Sequence, residues 1–117
     1  MRACSRADRG SATMLGVGLM LLLTLALAAG VLVVQVVATH RAAQNAADLA
    51  ALAGAGRVQE GDAPCPAANS VAARNGAVLT DCAQQDQEVL VAVQVRSRSF
   101  LGFDPAISAR ARAGPVQ

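Results

Sequence analysis

Residues 10–39 carry no ionisable side chain, and from Met14 to Ala38 the run is Leu, Val, Ala, Gly and Met, broken only by Thr24 and Gln35. A bilayer core of roughly 30 Å needs about 20 helical residues, so this run spans it with tilt to spare. A small soluble domain has no interior large enough to hide so long an apolar cylinder. One transmembrane helix over about 14–38 is therefore expected, with the lipid bilayer as its first partner. A cleavable secretory signal is the competing reading. Ala26-Leu27-Ala28 offers a small-residue cleavage site, and the N-terminal arginines suit the positive flank of a signal. Against it, the apolar run continues through Val31-Leu32-Val33-Val34 and Val36-Val37, which cleavage after Ala28 would leave as an exposed N-terminus.

Charge fixes the expected orientation. Residues 1–9 hold Arg2, Arg6 and Arg9 against Asp8, whereas residues 41–117 hold seven Arg and seven Asp or Glu, so the basic excess lies on the N-terminal tail. Positive flanks stay cytoplasmic, and this tail outweighs the His40-Arg41 pair, so the N-terminus is expected inside and residues 40–117 outside. A chain with 2 % aromatic residues and no basic excess beyond the tail does not point to nucleic acid.

The cysteines fit that placement. Cys65 and Cys82 both fall in the outer segment, and an oxidising exterior favours their pairing. A loop of that size stabilises by about 3 kcal/mol in the chain-entropy model, which matters for an outer domain near the lower size limit for a self-sufficient core. Two buried free thiols are the alternative. Cys4 stands alone on the inner tail. No Cys/His spacing suggests zinc, and no other cofactor is expected.

Gly10-Ser11-Ala12-Thr13 marks the expected helix start, with Ser11 or Thr13 as N-cap. No proline interrupts residues 14–58, so the helix is expected to leave the bilayer and run to about Ala53 or Gly56, with Gly54 and Gly56 as C-cap options. In that extension Arg41, Gln44, Asn45 and Asp48 share one face. Ala46, Ala50 and Gly54 repeat every four residues, as do Ala43, Ala47, Ala51 and Ala55, and Ala26 and Gly30 form a similar pair in the membrane run. Small residues at that spacing permit close packing, of helix on helix or of the helix on its own small sheet, although alanine is also simply the best helix former.

Downstream, Pro66 opens a short helix that Gly76 stops. Ala77 to Thr80 reads as a strand ending near Cys82, followed by a polar turn over residues 83–87. From Glu88 to Arg96 the alternation of Val89, Val91, Val93 and Val95 with other residues is the clearest strand signal. Residues 97–105 read as loop, and Ile107 to Ala113 as an edge strand. The outer domain is thus α-β-β-β, and the chain is α+β. Its divisions are a basic cytoplasmic tail at 1–10, a long helix at 11–57 with an Ala-rich extension from 39, and a small extracytoplasmic domain at 58–117.

Catalytic constellations are not found. His40, the one histidine, sits at the membrane boundary; Asp81 and Asp86 flank a turn; Gly54-Ala55-Gly56 lacks the lysine of a phosphate-binding loop. Arg96, Arg98, Arg110 and Arg112 make either a basic surface or the solvated guard of a sheet edge. No enzymatic activity is expected.

Arg9-Gly10-Ser11-Ala12-Thr13 before an apolar span resembles the start of TadE-like proteins of the Flp, or tight-adherence, pilus apparatus. Arg41-Ala42-Ala43-Gln44-Asn45-Ala46-Ala47-Asp48-Leu49-Ala50-Ala51-Leu52-Ala53 is similar to the block after the membrane helix in TadE/TadG-like proteins. With two outer cysteines and the ending Ala109-Arg110-Ala111-Arg112-Ala113-Gly114-Pro115, the chain looks like the short actinobacterial TadE-like group. The resemblance implies a pilin-like long helix and a structural minor pilin or pseudopilin role in an envelope assembly. Other pilin-like or Tad-apparatus membrane proteins would be its partners, in a homo- or hetero-oligomer. It also implies trimming by a prepilin peptidase after Gly10, leaving Ser11 first. Such sequences usually place glutamate at the fifth mature position, where this chain has Leu15. A function of another class is a membrane-tethered module that binds an envelope ligand.

Overall fold

The computed structural model describes residues 8–96, 102 and 105–115, arranged as two helices followed by three strands: α1 (Asp8–Gln59), α2 (Pro64–Arg74), β1 (Val78–Gln85), β2 (Glu88–Arg96) and β3 (Ala106–Ala113). The α+β arrangement expected from the sequence is the one found. The chain divides into two compact units, Met1–Val36 and Val37–Gln117.

The first unit is helical from Asp8, three residues before the expected start. Ser11 and Thr13 therefore lie inside the helix, and the Thr13 hydroxyl donates back to the Gly10 carbonyl at 2.9 Å. Thr24 does the same to the Leu21 carbonyl at 2.8 Å, so these two hydroxyls are satisfied within the helix itself. Every large apolar side chain from Met14 to Val36 is exposed, Met14 at 80 % and Leu15 at 73 %. This is the one helix among the described residues long and apolar enough to cross a membrane.

In the second unit the remainder of α1, α2 and the sheet share one core. The strands form an antiparallel meander in the order β1-β2-β3. Val89, Val91 and Val93 point inward from the central strand, opposite Ala113, Ala111 and Ala109 of β3. Opposite residues share a face, so the inner surface is valine flanked by alanine. Against it lie Ala43, Ala46, Ala47, Ala50, Ala51 and Ala55 of α1, with Ala68 and Ala72 of α2. Val89 and Val93 are the largest fully buried side chains, so tight approach of backbones makes up for what bulk does not supply.

Strand β1 is longer than expected. It continues to Gln85, and Ala83, Gln84 and Gln85 are strand, because β1 is an edge whose outer positions face water. The hairpin turn contracts to Asp86-Gln87, with Asp86 at φ 54°, a left-handed conformation that aspartate tolerates. A bulge between Leu79 and Asp81 carries the extra residue Thr80, whose hydroxyl donates to the Ala92 carbonyl at 3.1 Å. Its effect is on parity. Leu79 pairs with Val93 and Cys82 with Val91, so both point inward although three positions separate them.

Both helices end in the same way. At the end of α1 the Asp62 amide donates to the Arg57 carbonyl at 2.9 Å and the Gly61 amide to the Val58 carbonyl at 3.1 Å, with Gly61 at φ 83°. At the end of α2 the Ala77 amide donates to the Ala72 carbonyl at 3.0 Å and the Gly76 amide to the Ala73 carbonyl at 3.1 Å, with Gly76 at φ 71°. Each is a Schellman closure, in which a left-handed residue lets the chain reverse and satisfy the last carbonyls. Gly76 thus stops α2 as expected, whereas α1 is stopped by Gly61 and runs through both Gly54 and Gly56. Helix α2 begins at Pro64, not Pro66; both prolines fall in the first turn, where a missing amide hydrogen costs no helical bond.

Gly54 has a packing function instead of a capping one. A Cβ there would lie 3.0 Å from Val89 Cγ1 and 3.3 Å from Pro64 Cβ, whereas Gly56 has open space. Gly54→Leu should destabilise the second unit by about 1–3 kcal/mol through overpacking. Gly56→Ala should be neutral or stabilising, by up to about 1 kcal/mol. Thermal unfolding in detergent, followed by near-complete loss of strand signal, measures both; equal effects would remove the distinction.

Candidate functional site

The surfaces that α1 offers to other molecules follow from which residues its own chain already covers. Within the second unit Arg41, Asn45 and Asp48 are exposed and Gln44 is half-buried, so the polar stripe borders solvent. The two small-residue rows do not. Ala46 at 1 %, Ala50 at 0 % and Gly54 are buried, together with Ala43, Ala47, Ala51 and Ala55, in the core that contains the sheet. Of the two packings open to Ala46, Ala50 and Gly54, helix on helix or helix on sheet, these residues are turned to the chain's own core. Small residues there admit a close neighbour, and that neighbour is the chain's own β2. In the first unit Ala26 and Gly30 are exposed, with nothing within 4 Å of a Cβ placed on Gly30.

The extension has an exposed apolar edge that periodicity reasoning passed over. Leu49 at 46 % and Leu52 at 62 % are exposed beside the polar stripe. They are the two leucines in a segment otherwise built largely from alanine, and that contrast was the signal available. Leu52 borders an open groove of about 640 Å³ between the end of α1 and α2, lined also by Ala53, Gly56, Ala67, Ser70 and Val71. At its α1 end Arg57 pairs with Glu60 at 2.9 Å and lies 3.8 Å from Asp62.

The arginines on the outer sheet face do not make one patch. Arg112 is bonded through its guanidinium to Glu88. Arg110 sits opposite Ala92, which is opposite Asp81, so a carboxylate shares its row. Arg96 faces Ala106 at the far end of the ladder, and Arg98 lies outside the described residues. The Arg112–Glu88 pair has side chains 61 % and 39 % exposed and is worth at most about 1 kcal/mol. Gly114 permits it: a Cβ at that position would fall 2.6 Å from Glu88 Cγ.

Cys65, in the first turn of α2, and Cys82, on β1, form a disulfide with Cα atoms 5.9 Å apart. The bulge at Thr80 makes this geometry available, because it turns Cys82 to the inner face against which α2 lies. Among the described residues no group of three or more His, Cys, Asp or Glu side chains is placed to hold a metal ion.

These features define a class: a helix able to cross a membrane, running into a small disulfide-closed α+β unit whose sheet covers the helix extension. Residues 10–57 match the family model described as "Putative Flp pilus-assembly TadE/G-like". Over that stretch the chain is similar to the TadE/G-like family, which its sequence also resembles. The match covers nearly all of α1 and none of α2 or the sheet. No curated protein and no solved structure matches the chain.

Single cysteines introduced in a Cys4→Ser background report the two sides of the extension. Asp48→Cys should react with a water-soluble maleimide, and Ala50→Cys should react roughly tenfold or more slowly, since its burial must open first. Equal rates would show that the sheet does not cover this face.

Proposed function

We propose that the chain is a single-pass membrane component of a Flp/Tad-type pilus or related secretion apparatus, with the structural, non-catalytic role of a minor pilin or pseudopilin. The observation that carries this reading is the TadE/G-like match over a helix whose large apolar side chains from Met14 to Val36 are all exposed. An apolar cylinder of that length is stable when lipid or other apolar helices surround it.

In this reading residues 1–10 form a cytoplasmic tail, residues 11–57 the anchor and its extension, and residues 58–117 the extracytoplasmic domain. The excess of Arg2, Arg6 and Arg9 over Arg41 supports that orientation. Ala26 and Gly30 are the positions where a neighbouring pilin-like helix approaches most closely. Arg41, Asn45 and Asp48 offer polar contacts beyond the membrane. Gly10 is the processing position, with Ser11 as the first residue after cleavage.

Leu15 bears on register. At the fifth position after Gly10 a carboxylate serves to align subunits in pilins, and an apolar side chain there is instead suited to a retained anchor. Intact-mass measurement on the membrane fraction tests the core of the proposal. The expected chain retains residues 11–38 and has lost two hydrogens at Cys65 and Cys82. A soluble product beginning after Ala28 would refute it. Co-purification tests the assembly role: pilin-like partners should be recovered with the wild type and with Leu15→Glu. Recovery of an envelope ligand and no pilin-like chain would favour the tethered binding module.

A further inference from the structure

Helix α2 is held by little besides a covalent bond. It buries Pro64, Ala68 and Ala72, among the smallest apolar side chains available. Its N-cap residue, Ala63, makes no side-chain capping bond. The side-chain hydrogen bond at its C-terminus is local, from Asn75 Nδ2 to the Val71 carbonyl at 2.8 Å. Among the described residues, none of its side chains bonds or pairs with another element except through Cys65. Ordering eleven residues costs backbone entropy at each one, and three small side chains return little against that.

The rest of the unit does not depend on α2 in the same way. Its core, to which α2 adds only Ala68 and Ala72, joins the alanine rows of α1 to Val89, Val91, Val93 and Ala109, and its three strands are paired along their length. We infer that the Cys65–Cys82 bond is a redox latch on α2. Closed, it clamps α2 against β1 and β2. Open, α2 detaches while α1 and the sheet remain packed, and the groove between Leu52, Ala53 and Gly56 on one wall and Ala67, Ser70 and Val71 on the other is lost.

Both cysteines are half-buried, so a small thiol reaches them. Opening is a two-electron exchange with a dithiol. One thiolate of the reductant attacks a cysteine sulfur, forms a mixed disulfide and expels the other cysteine. The reductant's second thiol then closes on the first, leaving Cys65 and Cys82 as thiols and the reductant as a disulfide. Two protons pass from the reductant to the cysteines. Closure is the reverse, with a disulfide-bearing oxidant becoming a dithiol. The latch is independent of any part the chain plays in a pilus.

Hydrogen exchange read by mass spectrometry, on the full chain in detergent micelles with and without dithiothreitol, tests it. On reduction the amides of residues 68–74 should lose about 150-fold in protection, the equivalent of about 3 kcal/mol for a loop of this size. Those of Val91 and Val93 should change by less than about tenfold, since they belong to a separate cooperative element. The double variant Cys65→Ser, Cys82→Ser should match the reduced chain, and reoxidation of the wild type should restore protection. Unchanged protection in α2 would overturn the latch, because the helix would be held without the bond. Loss of β2 together with α2 would overturn it too, because the bond would then hold the entire unit.

Discussion

The second unit depends on one close approach, that of the glycine and alanine rows of α1 to the valines of β2. Gly54 marks the tightest point, with Val89 where its own side chain would be. Dispersion falls away within an ångström of separation, so a core made of methyl groups coheres only when its backbones are near. That requirement explains why the extension is so poor in large side chains on its inner faces. It also explains why the two leucines it does carry are turned out. The curled ends of both helices then follow from the need to bring α2 and the strands back over the same face.

One helix therefore has two kinds of surface. From Met14 to Val36 it presents apolar side chains all round, and from Ala43 to Ala55 it is buried on the side its sheet covers. The TadE/G-like match spans both stretches. The alanine block is thus a template for the chain's own fold, and it leaves the apolar run, the polar stripe and the two leucines facing outward.

Much of this was legible in the residues. The apolar run, the valine alternation of β2, the last strand and the partnership of Cys65 with Cys82 all rest on local pattern or on compartment, which sequence records directly. What was misjudged came from tertiary context. Gly54 and Gly56 look alike in sequence, yet one is packed against Val89 and Pro64 and the other is open. Residues 83–85 read as a turn because Gln84 and Gln85 are polar, yet an edge strand tolerates polar residues as readily. The alanine rows announced a packing face but not its occupant, since alanine at four-residue spacing admits a helix or a sheet equally. The arginines of β3 left a basic surface and a solvated edge guard both open, and strand pairing places Glu88 and Asp81 among them.

The bulge at Thr80 has a consequence for how this chain tolerates changes in length. Strand side chains alternate, so one residue more or fewer between Leu79 and Cys82 reverses which side of the sheet Cys82 occupies. The Asp86-Gln87 hairpin lies beyond the cysteine and sits in solvent, so residues added there leave the sulfur where it is. Two short stretches of equal polarity thus differ in what they record. One is free spacing, and the other is a counting device that keeps a covalent bond within reach of its partner.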